Sequence, residues 1–506
     1  MISLAYHDAI IEAIDYAYEK DGTTPEDAAW AHNILGVFEK GSGVCESYAR
    51  TYQLLLNVRG IENVFVIGVG GDAMSGYENH AWNLVKMDDD NWYWCDLTWD
   101  DAPNWEWGIK YNNFCVNDTQ NVNWEDSAND VEAKNFMSQH KPGKAIDSAP
   151  MHNITLPARS NVKFSSKGIQ LVRDTFKTDE VKYSVSGYNT VQLISANKSG
   201  VYKIPETVKY NGRTYTVISI GGIFESTGGY GDGYCFNQAQ DMIISKLIIP
   251  KTIKFIWDSA LAGNIAAIEA DSANPYFKSV DGVLFTKSLY TLIQYPYAKA
   301  KVDKYVIPEA TRDIAIGAFS GVYYGFNELV ISKNVDGIGQ ANWGIGYHNE
   351  KPTGFFGGNY VSGELSRLQE NLISKNITFT ISIDEQNVKY KIINGVLYSV
   401  WNDEFTGKYS AMAELLIDLE RTEVVLEDYL VRIDSGAFAT PNKLVNVTLP
   451  KGTENLFDYA FMANDKLKII YNGTVSEWNK IYKNEFWDHP DINVKTPVQC
   501  TDGIGY

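Results

Sequence analysis

At 506 residues the chain is too long for one hydrophobic core, so two or more domains are expected. A formal charge of −19, spread along the chain, excludes an electrostatic fit to nucleic-acid phosphates and reads as solubility rather than a partner signal. No run of about 18 apolar residues offers a membrane span, and five cysteines at irregular spacing without a CxxC pair exclude a disulfide scaffold and give no zinc signature.

In chain order, residues 2–20 carry apolar side chains at helical spacing (Ala5, Ala9, Ala13, Ala17) and stop at Asp21-Gly22. A second helix is predicted over 23–40, "TTPEDAAWAHNILGVFEK", with Thr24 as cap, Pro25 at the first position, and Glu26 and Asp27 at the positive end. The third starts at Cys45, places Tyr48, Tyr52, Leu55 and Leu56 on one face, and closes at Gly60. From residue 61 the period changes to two. "ENVFVIGVGG" reads as a short buried strand, and "HAWNLVKM" and "NWYWCDLTW" as an antiparallel hairpin around Asp88-Asp89-Asp90. "YNNFCVN" reads as a further strand, which makes the region an α+β domain.

Beyond about residue 150 the helical signal fades. "LIIPKTIKFIWDSALAG" (247–263), "YVIPEATRDIAIGAFSG" (305–321) and "VTLPKGTENLFDYAFMA" (447–463) repeat a short strand, a proline, and an Ala-Leu or Ala-Phe pair at matching offsets. "LVRIDSGAFAT" repeats the second half of that unit and "ELVISKNVDGIG" the first. Repetition of this kind, about 20 residues per unit, predicts a solenoid. Interruptions fall at "GGYGDGYCFNQAQDM" and 340–385, and "DGVLFTKSLYTLIQYP" and "NGVLYSVWNDEFTGKY" read as matching hairpin inserts. The expected division is the α+β domain at 1–150, a small β entry module at 151–215, and the solenoid at 216–506.

Cys45 opens a helix, where free N–H groups and the positive dipole end favour a thiolate and an oxyanion. Taken alone it reads more readily as a small hydrophobe packed under the first turn, since free cysteine is often buried. In the hairpin, His80, Trp82 and Leu84 share a face with Trp92, Trp94 and Asp96. A three-residue loop sets His80 opposite Asp96, and a five-residue loop leaves them diagonal. An imidazole oriented by a carboxylate is what a cysteine nucleophile needs as general base and acid. Cys95 points to the other face and is not a second nucleophile; it meets Cys115 only if their strands are neighbours.

"GSGVCESYARTYQLLL" followed by "ENHAWNLVKMDDDNWYWCDLTWDDAP" resembles the core of the transglutaminase-like superfamily, with its papain-related α+β fold. The resemblance, over about 24–120, implies Cys45 as nucleophile, His80 as base and Asp96 as the orienting carboxylate. Trp82, Trp99 and Tyr77 are expected to wall the substrate groove. The second oxyanion donor is open among Trp30, Asn33, Ser42 and the Cys45 backbone. Ser47 stands where the family usually has glycine, a departure expected to narrow the approach to the thiol. Asp100 and Asp101 are read as a solvated turn rather than calcium ligands, so no metal or cofactor is expected. The repeats, over about 215–503, resemble the leucine-rich repeats of bacterial surface proteins of the BspA type, and "IYNGTVSEWNKI" and "VQCTDG" resemble the close of such arrays.

Together these features lead to an expected secreted or cell-surface cysteine enzyme that cleaves or transfers amide bonds of a protein or peptide, with peptidase the preferred subclass and transamidase open. Its export signal would lie outside this sequence, because nothing near Met1 has the order of a signal peptide. The repeats would bind a host or cell-surface protein or a glycan. The alternative is an adhesin whose first domain is not catalytic.

Overall fold

A computed structural model describes residues 2–72, 76–101, 109, 111–120, 135–146, 153–164, 175–221, 235–236, 243–257, 260–319, 322, 325–340, 344–346, 365, 368–370, 372, 374, 379–402, 407–439, 442–461, 467–484, 486–488 and 496–506. The chain divides into two compact units, Met1–Ile194 with Thr207–Ile218 and Gly222–Gly231, and Ser195–Glu206 with Ser219–Gly221 and Asp232–Tyr506. Most strands of the expected entry module therefore group with the first unit.

The first unit begins with helix α1 (Ile2–Ile11), shorter than the periodicity suggested. Its continuation pairs instead: β1 (Asp15–Tyr16) runs parallel to β2 (Ser42–Gly43), with Ala17 N donating to Gly43 O. No regular helix forms over 23–40. The Asp21 carboxylate captures the N–H groups of Thr23 and Thr24 at 2.9 and 2.8 Å, so the intended cap residue is held in a turn. What remains is a 3-10 turn at Ala29–His32 and a π-turn at Gly36–Lys40. The third helix forms as predicted: α2 (Cys45–Val58) buries Tyr48, Tyr52 and Leu56 and is followed by Gly60 at φ 69°.

A six-stranded sheet follows. It is built from β3 (Asn63–Asp72), β4 (Gly76–Lys86), β5 (Trp92–Cys95), β6 (Phe114–Val116), β7 (His140–Ile146) and β8 (Asn153–Ile154), in the order β6-β5-β4-β3-β7-β8. Two short helices accompany it: α3 (Leu97–Asp100) directly after β5, and α4 (Phe136–Gln139) leading into β7. One face of the sheet packs Phe65, Ala81, Val85 and Cys95 under α2, and the other gathers Val64, Val66, Trp82, Leu84, Trp94 and Phe136. Each such large side chain contributes on the order of 2–3 kcal/mol by leaving water. The strand β7 carries no alternation and includes Pro142-Gly143. It is accommodated by a register shift opposite Ile67 and Gly68, as a proline inside a sheet requires. Three further strands, β9 (Thr175–Thr178), β10 (Val181–Val185) and β11 (Thr190–Ala196), form a meander with β10 central and pack Phe176 against Tyr183.

The second unit is the expected β-solenoid. Strands Glu423–Val425, Asn446–Leu449, Lys468–Tyr471 and Val498–Cys500 stack in parallel, 22–23 residues apart over the first three. The proline motif acts as a turn. Ile253, Thr311 and Thr453 each donate N–H to the proline carbonyl three residues back, at 3.3, 2.9 and 3.2 Å. Each turn leads into the second strand of its coil, after which Ala260, Ala318 and Ala460 close matching turns. The hairpin inserts are structural twins. In both, a buried asparagine, Asn274 or Asn387, bonds two earlier carbonyls through Nδ2 and two following N–H groups through Oδ1. Positive-φ pairs Asp281-Gly282 and Asn394-Gly395 then turn the chains. The array ends in a capping box at Thr474 and Glu477 and an antiparallel pair, Val498–Cys500 with Gly503–Gly505. Most of 228–242 and 340–385, where interruptions were expected, lies outside the described residues. Among the described residues no helix is long and apolar enough to cross a membrane.

Candidate active site

The turn of the β4–β5 hairpin spans Met87–Asn91, so Asn83 pairs with Cys95 and Leu84 with Trp94. Continued by one residue, this register sets Asp96 opposite Trp82 and so diagonal to His80, the five-residue alternative expected from the sequence. Asp96 leaves the strand to cap α3, where Oδ1 accepts the N–H groups of Thr98 at 3.0 Å and Trp99 at 3.2 Å. That cap aims Oδ2 at His80 Nε2, 2.7 Å away. Both side chains are buried.

Burial alone would lower the His80 pKa, but the charge and hydrogen bond of Asp96, joined by contributions from Cys45, outweigh it and raise it to about 10. The same partnership holds Asp96, despite its burial, well below the usual carboxylate range. With Nε2 committed to Asp96, Nδ1 is the nitrogen left for Cys45. The thiol sits at the start of α2 behind Val44, whose side chain supplies no cap acceptor. Cys45 is 9% exposed and packs with Ala49, Phe65 and Ala81, a nearly buried thiol whose interaction with His80 helps raise the imidazole pKa.

One histidine escaped the sequence reading. His140, at the start of β7, places Nε2 2.9 Å from the same Oδ2 of Asp96 and is fully buried. Its strand has no alternation and sits 44 residues beyond Asp96, so no local pattern signalled it. The ligand atoms of His80, Asp96 and His140 lie within 4.8 Å of one another, a spacing that suits a divalent cation. The Nε2 atoms of both rings face Asp96 Oδ2, however, and these hydrogen bonds by themselves draw the three side chains together.

The aromatic residues divide. Trp99 is part-exposed and stacks on His80 with ring centroids 5.3 Å apart, a position from which it can wall a groove. Trp82 is fully buried in the aromatic core behind His80 and offers no surface, a correction to the sequence reading. Tyr77 stands on the alternate face of β4 from His80, with its hydroxyl donating to Ser138 O and Lys141 Nζ 3.5 Å above its ring. Gly70 explains part of the glycine-rich β3: a Cβ there would lie 2.9 Å from His80 Cδ2 and 3.0 Å from Trp99 Cζ2.

Other expectations change. Ser47 does not narrow the approach to the thiol; its hydroxyl bonds Ala31 O and Asn33 O at 2.7 and 2.6 Å and fixes the preceding loop to α2. The Asn33 side-chain amide donates one N–H to Ala29 O and its Oδ1 accepts the N–H of Leu35, which ties it to its own loop. Asp100 is not solvated: it is buried, 3.2 Å from His7 Nε2, and accepts Asn113 N–H at 2.8 Å. Its α3 position points it inward to the helix that carries His7, where a carboxylate must be paired. Asp101 accepts the Tyr48 hydroxyl. Cys95 and Cys115 lie on neighbouring strands yet both are free, and burial pushes the Cys95 thiol up to about 12.

An α+β domain with a cysteine-led helix laid on an antiparallel sheet, followed by a parallel β-solenoid, is a transglutaminase-like fold joined to leucine-rich repeats. Residues 4–97 match the model of the transglutaminase-like superfamily, and residues 418–500 match that of the BspA type leucine rich repeat region, in six copies. Among solved structures, the pneumococcal vaccine antigen PcpA is 11% identical over 63% of this chain and 98% of its own, with a TM-score of 0.26. A leucine rich cell surface protein from Faecalibacterium prausnitzii A2-165 is 13% identical over 61% and 97%, with a TM-score of 0.28. A TGase is 20% identical over 19% of this chain and 25% of its own, with a TM-score of 0.17. No curated protein matches the chain.

Proposed function

We propose that this is a secreted or cell-surface cysteine enzyme that cleaves or transfers amide bonds of a protein or peptide. The observation that carries this reading is the buried relay in which Asp96 orients His80 at 2.7 Å and His80 partners Cys45 at a helix start. The Cys45 thiolate adds to the carboxamide or peptide carbonyl, and first-turn N–H groups of α2 receive the oxyanion. Collapse breaks the C–N bond as the His80 imidazolium gives its proton to the leaving amine, leaving a thioester on Cys45. His80, now neutral, takes a proton from water or from a lysine amine; attack on the thioester then yields an acid or a new amide and frees the thiol. Peptidase action is the preferred outcome. Trp99 walls the groove beside His80, with Cys45, His80 and Asp96 as the catalytic residues.

The BspA-type repeats support the surface location and a role in docking a protein or glycan partner. The test is labelling by an iodoacetamide probe near pH 7, followed by turnover on peptide libraries with and without an added amine. The wild type should label and turn over, and Cys45→Ala should do neither while keeping its fold. Equal labelling of the two proteins would refute the enzyme reading in favour of a non-catalytic adhesin.

A further inference from the structure

We propose that His140 is a positioning residue for Asp96: it donates Nε2–H to Oδ2 as a second, neutral imidazole and so limits how tightly the carboxylate holds His80. The catalytic consequence rests on the enzyme reading above, whereas the tautomer assignment follows from the hydrogen-bond geometry and burial of His140 and does not depend on it.

Asp96 is fully buried and has all its strong acceptor positions occupied. Oδ1 takes two backbone N–H groups, and Oδ2 faces His80 at 2.7 Å and His140 at 2.9 Å. The other ring nitrogen of His140, Nδ1, lies 3.1 Å from Phe136 O. That carbonyl already accepts the backbone N–H of His140, as the closing bond of α4. A single ring proton therefore has two possible places. On Nδ1 it would serve an occupied neutral carbonyl and turn the Nε2 lone pair against an anion. On Nε2 it makes a charge-assisted bond, about twice as strong as a neutral one. The Nε2–H tautomer wins.

The ring cannot swing away to escape the choice. Phe136 lies parallel to it at 3.8 Å between centroids, Trp99 covers it at 4.3 Å and Trp82 meets its edge at 4.9 Å. This enclosure also keeps it uncharged, since burial lowers its pKa despite the pull of Asp96. The titratable groups facing His80 are then Asp96 on the α3 cap, Cys45 on α2 and His140 on β7. A neutral donor on Oδ2 draws charge from the bond to His80 without adding a competing cation. Imidazolium that is held less tightly gives up its proton more readily when the leaving amine needs it.

With seven histidines in the chain, ring-labelled [15N]histidine resolves the question in the whole protein. His140 should show the neutral Nε2–H tautomer across neutral pH. His140→Phe should move the His80 titration midpoint upward by about half a unit to one unit, the scale of one lost charged hydrogen bond. His140→Gln, whose amide N–H reaches the same place, should restore it. An Nδ1–H tautomer, an unmoved His80 midpoint in His140→Phe, or a His140→Gln midpoint that tracks His140→Phe would each overturn the proposal. The tautomer is measured on wild-type protein, so misfolding of a variant does not affect it. Should Cys45 prove unreactive toward iodoacetamide while the nitrogen shifts come out as described, the enzyme reading fails and the His140 assignment stands.

Discussion

Replacing Asp96 by asparagine changes one oxygen to an NH2 group and should disable His80 without unfolding the domain. The amide oxygen can keep the Thr98 and Trp99 N–H groups, which fixes the amide nitrogen toward His80 and His140. A donor then faces a donor across 2.7 Å, so His80 must shift its proton to Nδ1 and present N–H rather than a lone pair to Cys45. Loss of the Asp96 charge also removes the main force opposing burial, so the His80 pKa falls from about 10 to the ordinary imidazole value or below it. A loss of about three units at about 1.4 kcal/mol each withdraws about 4 kcal/mol from the imidazolium. The alkylation rate of Cys45 by iodoacetamide, followed by peptide mass spectrometry across neutral and alkaline pH, should drop about 100- to 1000-fold near pH 7. Circular dichroism should be unchanged. A rate within about threefold of wild type, with the same pH profile, would refute the assigned roles of Asp96 and His80.

Three further outcomes are expected. Gly70→Ala pushes a methyl group into His80 and Trp99, at 2.9 and 3.0 Å, and should cost about 1–3 kcal/mol in urea denaturation and slow Cys45 alkylation. Glu414 in the solenoid is fully buried, and burial with the nearby Asp434 charge raises its pKa well above the ordinary value. The folded state thus binds a proton that the unfolded chain releases above its pKa of 4.5, so this group costs stability as pH rises past that point and costs none below it. Glu414→Gln should therefore raise the melting temperature at neutral pH, by about 2–4 °C for each kcal/mol relieved, and leave it unchanged near pH 4. Asn387→Ala removes bonds of 2.7–2.9 Å to four backbone groups, three of these bonds buried, and should destabilise the repeats by about 3 kcal/mol or more, measured by chemical denaturation.

Helix and strand positions were legible where neighbours in sequence are neighbours in space. The α2 face, the hairpin alternation and the proline turns of the solenoid all follow from periods of 3.6, 2 and one coil. The 23–40 segment failed that test because its caps were engaged elsewhere: Asp21 binds Thr23 and Thr24, and Ser47, from α2, binds the carbonyls that a helix would have used internally. Likewise, adjacent acids at Asp100 and Asp101 look solvated in one dimension, yet α3 turns them onto His7 and Tyr48, contributed by two other helices.

By itself, the order of residues determined the helix-leading cysteine, the placement of His80 and Asp96 on one face, and the repeat of the solenoid, since each depends on local geometry. Tertiary structure alone decided that Trp82 is core, that Trp99 stands beside the imidazole, and that His140 returns to Asp96 from 44 residues away. A buried carboxylate needs every lone pair satisfied, and the chain can meet that need with any donor the fold brings near, at whatever distance in sequence.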